Sequence, residues 1–495
     1  MKKLIIAVCF YIIVIQNIWA QEKPNFIIII TDDQTNESIR ALNCKEIHTP
    51  NMDRLVQNGT SFTHAFNQGS WSGAVSVASR TMLITGQNVM NAQKNNLYIV
   101  NWAQTTPESE STEVKTIGET FIDAGYETFI TGKWHNTDEP LLRGFQVGNA
   151  VGTGFYETYD ENGNKDFAYS RPNDGNWTPW NENLKGHWSP DIRDIIEDND
   201  GKKLTGSYII NKHTSELYTD KAIQYIRKEH DKPFFMYVAY NAPHDPRQSP
   251  MEFVDMYPMK SVKIPENYLP EHPFDIGVRN ERDEHLAPYP RTTEAVQLHR
   301  QEYYAIISHF DRELGRILDA LDASEYKDNT YIIFTSDHGL AVGMHGLMGK
   351  QNMYDHSMRV PFIMTGPDVK KNHQTDAMVY MQNIFATTCD YAGINPPESI
   401  DFQSIRPIIE GKQKKGEEYI FGYFRDRHRM IRSDRYKLII YPLVNEAQLF
   451  DMKKDPYETK NLINDPKHKK VKDELYKAFI NKQKELGDTI KTELN

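Results

Sequence analysis

The stretch "NFIIIITDDQ", residues 25–34, predicts a buried strand that ends in two acidic residues. Its apolar residues run on continuously instead of alternating with polar ones, which is typical of a strand covered on both faces. A second stretch, "TYIIFTSDHG" at residues 330–339, has the same form and delivers Asp337 and His338. Ligands of open α/β sheets bind beyond the carboxyl ends of the strands. The two stretches therefore predict one sheet with a functional site at its edge.

The surrounding sequence predicts an α/β domain. The apolar runs "PFFMYVAY" (233–240) and "VPFIM" (360–364) have the pattern of buried strands. Residues 301–323 carry apolar side chains at three- and four-residue spacing, as on one face of a helix. Strands that alternate with helices favour a mostly parallel sheet. The segment from about 156 to 200 is polar and rich in Asn, Asp and Gly, so we expect long loops there.

Residues 1–20, "MKKLIIAVCFYIIVIQNIWA", have the pattern of a secretory signal peptide, and a retained membrane anchor is the alternative. The chain has a formal net charge of −11, and loss of the two lysines in this segment makes it more negative. We therefore expect no nucleic-acid partner. Because no later segment is long and apolar enough to span a bilayer, we also expect no membrane association after cleavage. Cys44 and Cys389 remain in the mature chain, where they could form a disulfide or stay as buried thiols.

The acids at the two strand ends predict a metal site. Asp32, Asp33 and Asp337 would repel one another at one edge of the sheet unless a cation lay between them. The alternative is that each acid forms a turn or caps a helix. Because two separate apolar strands end in this way, the metal site is the favoured interpretation.

The stretch "SVASRTMLITG", residues 76–86, predicts a helix that stops at Gly86. Arg80 lies four residues after Ser76, so it shares a helix face with Ser76 and could neutralise an anion there or hold neighbouring carboxylates. The positive end of the helix dipole also suits an anion. Ser76 is thus either a helix cap or the precursor of a nucleophile.

Residues 76–86 resemble the signature of the sulfatase family in its serine-type form, S-x-A-S-R-x-x-x-x-T-G. The resemblance covers nearly all of the mature chain, because other family motifs occur in the expected order. These are "TDDQ", "HTPNMDRLVQNGTSFTHAF", "TGKWH", "NAPH", "TSDHG", "HGLMGK" and "RVPFI". The stretches "DRYKLIIY" and "LFDMKKDPYETKNLI" resemble the C-terminal subdomain of the family.

The resemblance implies a fold and an activity. The fold is alkaline-phosphatase-like, with a large α/β domain at residues 21–414 and a smaller C-terminal α+β domain with an antiparallel sheet at 415–495. The activity is that of a sulfuric ester hydrolase. Ser76 would be oxidised to formylglycine (3-oxoalanine), whose hydrate has one hydroxyl to attack sulfur and a second to expel sulfate. An anaerobic-type sulfatase-maturating enzyme would carry out this oxidation.

The resemblance also implies the roles of individual residues. The ligands of a divalent cation would be Asp32, Asp33, Asp337, His338 and the modified Ser76. Arg80 would support position 76, Lys133 and His135 would bind sulfate and supply a base, and His244 and Lys350 would hold the sulfate and protonate the leaving oxygen.

The dipeptide Asp337-His338 departs from the common pattern, since many sulfatases have Asp-Asn there. Calcium prefers oxygen ligands, which form most of this set, so Ca²⁺ is the expected metal. The imidazole of His338 suits a transition metal better. Mn²⁺ or Mg²⁺ are the weaker alternatives. Phosphonate monoester hydrolases on the same scaffold also carry histidine at this position. A phosphonate monoester or phosphodiester hydrolase is therefore one alternative function.

The expected substrate is a sulfated carbohydrate, and the expected location is secreted or periplasmic in a bacterium. A non-catalytic glycan-binding relative is a second alternative. His345 could reach the substrate or simply pack, and Trp177, Trp180 and Trp188 could stack on sugar rings or anchor loops. A basic cluster at residues 425–432, which includes Arg427, is by default a solvated strand face, with contact to an anionic glycan as the alternative.

Overall fold

The computed structural model of the protein describes residues 23–42, 44–94, 114–152, 158–159, 165–166, 178–182, 186–199, 201–492 and 494. The predicted signal peptide (1–20) and Trp177 lie outside these residues. The strands are β1 (Asn25–Thr31), β2 (Gly59–Phe66), β3 (Gly69–Ser70), β4 (Glu127–Lys133), β5 (Val147–Gly152), β6 (Thr158–Tyr159), β7 (Lys165–Asp166), β8 (Asp191–Asp198), β9 (Gly201–Leu204), β10 (Tyr208–Ile209), β11 (Phe234–Ala239), β12 (Thr330–Ser336), β13 (Arg359–Thr365), β14 (His373–Thr375), β15 (Val379–Tyr380), β16 (Ile420–Phe424), β17 (His428–Arg432), β18 (Tyr436–Tyr441) and β19 (Glu446–Asp451).

Helices separate most of these strands. The α-helices are α1 (Pro50–Asn58), α2 (Val75–Thr85), α3 (Val89–Lys94), α4 (Ile117–Asp123), α5 (Asp138–Gly144), α6 (Thr214–Ile226), α7 (Met251–Asp255), α8 (Thr293–Asp322), α9 (Asp355–Met358), α10 (Asn383–Ala392), α11 (Arg406–Ile409) and α12 (Lys469–Leu486). Short 3-10 helices cover Asn36–Ser38, Arg40–Leu42, Met259–Ser261, Arg282–Leu286, Lys327–Asn329 and Pro466–His468.

A large mixed sheet forms the centre of the protein, in the order β10-β8-β5-β4-β11-β1-β12-β13-β2-β14, with β9 beside β8 and β15 beside β2. The five strands β5, β4, β11, β1 and β12 run parallel to one another. Strand β13 is antiparallel to both β12 and β2. The α/β class with a mostly parallel, mixed sheet, predicted from the sequence, is confirmed.

Strand β1 lies in the middle of this sheet and is buried along its whole length. Ile27 and Ile29 pack towards α1, α6 and α8, whereas Phe26, Ile28 and Ile30 pack towards α2, α4 and α10. Each such side chain contributes roughly 1.5–3 kcal/mol by leaving water. The continuous apolar run is therefore required, because successive side chains of a strand point to opposite faces and both faces are covered.

Helix α8 is the longest element of the face that carries α1 and α6. Thr292 caps it by accepting a hydrogen bond from the Ala295 backbone N–H at 3.2 Å. The apolar positions recognised in the sequence, from Ile307 through Phe310 and Leu314 to Leu321, are buried against the sheet. The prediction of an amphipathic helix here is confirmed.

The prediction of loops throughout 156–200 is wrong for residues 191–198, which form strand β8. Ile192 and Ile195 are buried in this strand and pack on opposite faces of the sheet, whereas Glu197 is exposed. Strand β8 is antiparallel to β5. The polar composition of the segment concealed this strand.

A second, smaller sheet has the order β19-β18-β17-β16-β3. Its last four strands in the sequence pair antiparallel, and α12 packs on one face through Leu475 and Phe479. The smaller sheet therefore agrees with the fold class predicted for the C-terminal part. Strand β3 comes from the segment just before α2 and runs parallel to β16, so the two sheets are joined at the helix that carries Ser76.

Buried ion pairs also connect the smaller sheet to the loop after β12. The ammonium of Lys437, on β18, contacts Asp355 Oδ1 at 2.5 Å and Glu458 Oε1 at 2.6 Å. Arg432, on β17, contacts the other oxygen of Asp355. All four side chains are at most 4% exposed. Removal of one partner from such a set leaves an uncompensated charge away from water.

The two cysteines do not pair, because they lie on opposite faces of the large sheet. Cys389 is buried on α10, and Cys44 is partly buried near α1 and α8. None of the helices that the structure describes is both long and apolar enough to cross a membrane.

The buried position of Lys437 predicts a large effect of its removal. We expect Lys437→Met to lower the free energy of unfolding by about 3–5 kcal/mol, because Asp355 and Glu458 lose a shared cation. Urea denaturation followed by circular dichroism measures this change. The matched control is Lys453→Met, whose ion pair with Asp434 is exposed and should change stability by less than about 1 kcal/mol. Equal effects of the two substitutions would contradict the prediction.

Candidate active site

The site lies where β1 and β12 end side by side. The two strands are parallel, and their register pairs Thr31 with Ser336. The residues that follow are therefore adjacent, and the Asp33 backbone N–H donates to Asp337 Oδ1 at 3.1 Å. Asp32, Asp33 and Asp337 are all at most 1% exposed. The predicted meeting of the two acidic strand ends is thus present in the structure.

Ser76 reaches this edge from the first turn of α2. The residue before the helix is Ala74, so Ser76 is its second helical residue and not its cap. The Ser76 hydroxyl donates to Asp32 Oδ1 at 2.8 Å. At the other end of the helix, Gly86 has a φ of 65°, the left-handed conformation that glycine adopts readily. Of the two interpretations of Ser76, the geometry favours the one with a role in the site.

Arg80 and Lys133 bind two of the three carboxylates. The Arg80 Nε–H donates to Asp337 Oδ2 at 3.1 Å, and its Nη1 donates to the Lys133 carbonyl at 3.0 Å. The Lys133 ammonium, at the end of β4, donates to Asp32 Oδ2. Both cations are at most 1% exposed. Arg80 therefore holds one neighbouring carboxylate, as its spacing from Ser76 allowed.

Lys350 binds the third carboxylate. Its ammonium lies 2.7 Å from both oxygens of Asp33. Asp33 has a φ of 70°, which is unusual for a residue with a side chain. The Tyr303 hydroxyl holds this backbone by donating to the Asp33 carbonyl at 2.7 Å and accepting from the Thr35 N–H at 3.0 Å. The turn after β1 is thus fixed from the α8 side.

The three carboxylates differ in their pKa values. Burial acts to raise the pKa of Asp32, but the Lys133 ammonium and other nearby cations hold it well below its usual range. Burial raises the pKa of Asp33 well above its usual range, although Lys350 acts in the opposite direction. Burial and the charge of Asp32 raise the pKa of Asp337. The site therefore has capacity for more positive charge than its side chains supply.

A buried group of two carboxylates and one imidazole could hold a divalent cation, and its histidine is His244, not the predicted ligand His338. Ligand atoms of Asp32, Asp33 and His244 lie within 4.8 Å of one another. His338 is buried, and its Nδ1 lies 3.0 Å from the Gly339 carbonyl. Because a carbonyl only accepts, Nδ1 carries the proton and Nε2 keeps its lone pair. Carboxylate oxygens and one such imidazole nitrogen are ordinary metal ligands.

His135 and His244 complete the residues that the site brings near Ser76. Burial and the Lys133 ammonium keep the pKa of His135 well below its usual range. His244 Nδ1 lies 2.6 Å from the Asp245 carbonyl, and its Nε2 lies 3.8 Å from Asp33 Oδ2. Burial and Lys350 lower the pKa of His244 to about 3.

A second cluster with metal-ligand chemistry consists of Glu216, His309 and Glu313. Arg312 donates to both carboxylates, and Arg316 donates to Glu313 at 2.5 Å. Two guanidinium groups pair with the two acids, so this cluster forms an ion-pair network between α6 and α8.

Other residues singled out in the sequence make contacts away from the carboxylates. His345 stacks on Tyr354 with ring centroids 3.8 Å apart, and its Nε2 faces the Asn267 amide at 3.1 Å. Trp188 donates to the Pro179 carbonyl at 3.4 Å, which anchors its loop. Trp180 is 38% exposed, so its ring is available for stacking.

The default interpretation of residues 425–432 as a solvated strand face is wrong. Arg429 and Arg432 are at most 2% exposed and pair with Asp488 and Asp355. Arg427 donates to Glu281 Oε1 at 2.9 Å. Basic residues in this strand and turn are matched by acids that are distant in the sequence, and no local pattern announces such partners.

Arg282 is a site residue that the sequence pattern did not indicate. Its guanidinium binds Asp245 at 2.5 and 3.1 Å, contacts Asp283, and lies 3.4 Å from His244 Nε2. Its side chain is 35% exposed. The only available signal was that Asp245 directly follows His244 in "NAPHDP", because the partner arginine comes from a 3-10 helix 37 residues later.

His187 is a second residue that the sequence pattern missed. Its Nε2 donates to the His244 carbonyl at 3.0 Å, and its Nδ1 lies 2.6 Å from the Thr214 hydroxyl. The imidazole is fully buried and stacks on His213 with centroids 5.1 Å apart. His187 therefore fixes the backbone of the loop that presents His244.

Family models and relatives agree on one class of protein. The model described as Sulfatase matches residues 24–394, and the model described as N-sulphoglucosamine sulphohydrolase, C-terminal, matches residues 343–485. An arylsulfatase of Clostridium perfringens is 28% identical over 473 residues, which are 92% of this chain and 94% of the relative.

Two further similarities come from curated and solved relatives. An N-acetylglucosamine-6-O-sulfatase of Bacteroides thetaiotaomicron is 26% identical, with 94% of this chain and 87% of the relative covered. A structure solved in complex with its substrate D-glucosamine-2-N,6-O-disulfate has a TM-score of 0.72 and 23% identity, with 94% of this chain and 99% of that chain covered.

The contact of His187 with the His244 carbonyl predicts a positioning role. We expect His187→Ala to lower kcat/KM for an aryl sulfate about tenfold, because loss of a buried hydrogen bond releases the loop. His187→Gln, which keeps a donor, should recover part of the loss. His468→Ala, which removes a histidine near the start of α12, is the matched control. Wild-type kcat/KM in folded His187→Ala protein would refute the role.

Proposed function

The chain belongs to the sulfatase family and is a sulfuric ester hydrolase, and we propose that it acts on a sulfated carbohydrate through a formylglycine formed from Ser76 and a bound divalent cation. The observation that carries this proposal is the position of Ser76. Its hydroxyl bonds Asp32 inside a group of three buried carboxylates and three buried cations. A serine whose only role was to cap the start of a helix would have no reason to lie among these charged side chains.

The modified residue explains why a serine lies here. Once oxidised and hydrated, position 76 supplies two hydroxyls, one to attack sulfur and one whose deprotonation expels sulfate. The oxidation removes two electrons and two protons from the serine side chain, and the maturating enzyme would supply their acceptor. Arg80 supports this position because it anchors Asp337 and the end of β4 beside α2.

The surrounding side chains would move the protons and hold the sulfate. We assign to His135 the removal of the proton from the remaining hydroxyl, and to His244 and Lys350 the protonation of the sugar oxygen as its bond to sulfur breaks. Lys133 lies beside Asp32, where its charge would also attract the sulfate oxygens. Arg282 holds Asp245 next to His244 and so would keep that imidazole in place.

The bound cation would be held by Asp32, Asp33, Asp337 and His338, with position 76 as a further ligand. It would stabilise the negative charge on the attacking oxygen and polarise the sulfate. We propose Ca²⁺ because oxygen atoms dominate the donor set, with Mn²⁺ or Mg²⁺ as weaker fits. The formal charges of the three carboxylates equal those of Arg80, Lys133 and Lys350, so a dication would make the site attractive to an anionic ester.

The carbohydrate substrate is supported by the relatives and by the predicted signal peptide. The names of two relatives specify amino-sugar sulfates. Residues 1–20 would direct the protein to a secreted or periplasmic location, where a bacterium meets sulfated glycans. Trp180, in a loop tied to Ser249 by a 2.9 Å backbone hydrogen bond, is exposed near the His244 loop and could stack on a sugar ring.

We propose residues 21–414 as the bounds of the catalytic domain and residues 415–495 as those of the C-terminal domain.

The nucleophile assignment predicts a chemical change at one position. The tryptic peptide of residues 55–80 from native-host protein should lack two hydrogen atoms relative to unmodified serine. We also expect Ser76→Ala to abolish turnover while changing the free energy of unfolding by about 1 kcal/mol, since alanine is tolerated in a first helical turn. An unmodified peptide in fully active enzyme would contradict the mechanism, and an unmodified peptide in inactive protein would favour a glycan-binding relative.

The substrate assignment predicts a preference between esters. Mature enzyme assayed in parallel should hydrolyse a sulfated amino sugar and an aryl sulfate with higher kcat/KM than an aryl phosphonate monoester or a phosphodiester. The alternative of a phosphorus substrate rests on His338, because phosphonate monoester hydrolases carry histidine at this position, so His338→Asn is the informative variant. A higher kcat/KM for a phosphorus ester in the wild type would make the chain a phosphonate monoester or phosphodiester hydrolase in practice.

A further inference from the structure

Two arginines in the turn between β16 and β17 share one carboxylate. Arg425 Nη1 donates to Glu281 Oε1 at 2.7 Å, and Arg427 Nη1 donates to the same oxygen at 2.9 Å. The two guanidinium groups therefore lie beside each other, where their like charges repel. Among the described residues, no second carboxylate forms an ion pair with either of them.

This ion pair contacts the segment that leads to Ser76. Arg425 Nη2 and Glu281 Oε2 approach Gly73 so closely that a Cβ at this residue would lie 2.7 Å from each of them. A side chain at this position would therefore displace the ion pair. Gly73 is three residues before Ser76, so the two arginines lie beside the start of α2.

The shared carboxylate is also next in sequence to a residue that contacts His244. Glu281 precedes the 3-10 helix that begins with Arg282. The Arg282 guanidinium binds Asp245 at 2.5 and 3.1 Å and lies 3.4 Å from His244 Nε2. The segment that holds the two arginines of the turn therefore also contacts the proposed proton donor. Both observations place Arg425 and Glu281 at the edge of the candidate active site.

The cations at this edge face solvent, and their acids lie behind them. Three arginine side chains are 29–35% exposed, and these are Arg282, Arg425 and Arg427. The carboxylates that they bind are at most 13% exposed, and these are Asp245, Glu281 and Asp283. The formal charges of the six groups cancel, but an approaching anion meets the guanidinium groups first.

Backbone hydrogen bonds fix the turn that presents the two arginines. The Arg425 N–H donates to the Ser70 carbonyl at 2.9 Å, and the Arg427 N–H donates to the Phe424 carbonyl at 3.0 Å. The Arg425 carbonyl accepts from Arg429 Nη1 at 2.6 Å. Because the positions of the two side chains are largely set in advance, they lose little conformational freedom when they bind an anion.

We propose that Arg425 and Arg427 bind a second anionic group, a sulfate or a carboxylate, on the sugar whose sulfate ester is cleaved. Glu281 accepts from one nitrogen of each guanidinium, and a guanidinium has five N–H donors arranged to bind either kind of group. The bound anion would also offset the repulsion between the two cations. This inference rests on the proposed function, because it requires a sulfated carbohydrate as substrate.

The test compares two pairs of substrates whose members differ in one anionic group. One pair is glucosamine-6-O-sulfate and glucosamine-2-N,6-O-disulfate, and the other is the methyl ester of a 2-O-sulfated hexuronate and the free acid. In one of the pairs, mature wild-type enzyme should have about tenfold higher kcat/KM for the member with two anionic groups. The pair that shows this preference identifies the second group as sulfate or carboxylate.

Variants show whether the two arginines cause the preference. We expect Arg425→Met and Arg427→Met each to lower the ratio of the two kcat/KM values severalfold, and Arg427→Lys, which keeps the charge, to retain part of it. The matched control is Arg435→Met, on the same sheet, whose side chain is 42% exposed and pairs with Asp451. This control should leave the ratio unchanged.

Two kinetic results would overturn the proposal. One is equal kcat/KM for the members of both pairs in the wild type. The other is a fall by the same factor for both members of a pair in Arg425→Met and Arg427→Met, which would mean that the arginines only stabilise the fold.

Failure of the proposed function is recognised separately, as the absence of hydrolysis of all four sugars by mature enzyme. Calorimetric titration of the same four sugars into Ser76→Ala protein then decides the inference. Tighter binding of a member with two anionic groups, lost in Ser76→Ala/Arg427→Met protein, would support it. Equal dissociation constants within each pair, or no binding, would overturn it.

Discussion

Three carboxylates packed together out of contact with water are the constraint that organises this protein. Asp32, Asp33 and Asp337 meet because β1 and β12 are parallel neighbours, and their mutual repulsion must be balanced locally. Each receives a different cation, from α2, from the end of β4 and from the loop after β12. The placement of three separate elements around one sheet edge thus follows from one electrostatic requirement.

The parts of the fold that local chemistry determines could be predicted from the sequence. The apolar runs that became β1, β11, β12 and β13 are continuous because both faces of those strands are covered, and the stripe on α8 follows the helical period. Ser76 and Arg80 share a helix face because residues four positions apart lie close together on an α-helix. Family resemblance then added Lys133, His135, His244 and Lys350, which no spacing argument could have selected.

Contacts between distant segments could not be predicted, because nothing local marks them. Arg282 finds Asp245, His187 finds the His244 carbonyl, and Arg429 finds Asp488, each across 37 or more residues. The basic cluster therefore looked solvated when it is in fact buried and paired. Strand β8 was hidden for a related reason, because most of its residues are charged and it is held by pairing with β5. In each of these examples, a contact between segments that are distant in the sequence determines the structure.

The depth of Ser76 has a consequence for the order of events during synthesis. The residue is 2% exposed and its whole helix is buried, so another enzyme can reach it only while the chain is still open. Strand β3, just ahead of that helix, pairs with residues 423–424. The nascent polypeptide therefore cannot close over position 76 in its final form until most of the chain has left the ribosome, and the proposed oxidation of Ser76 would have that interval.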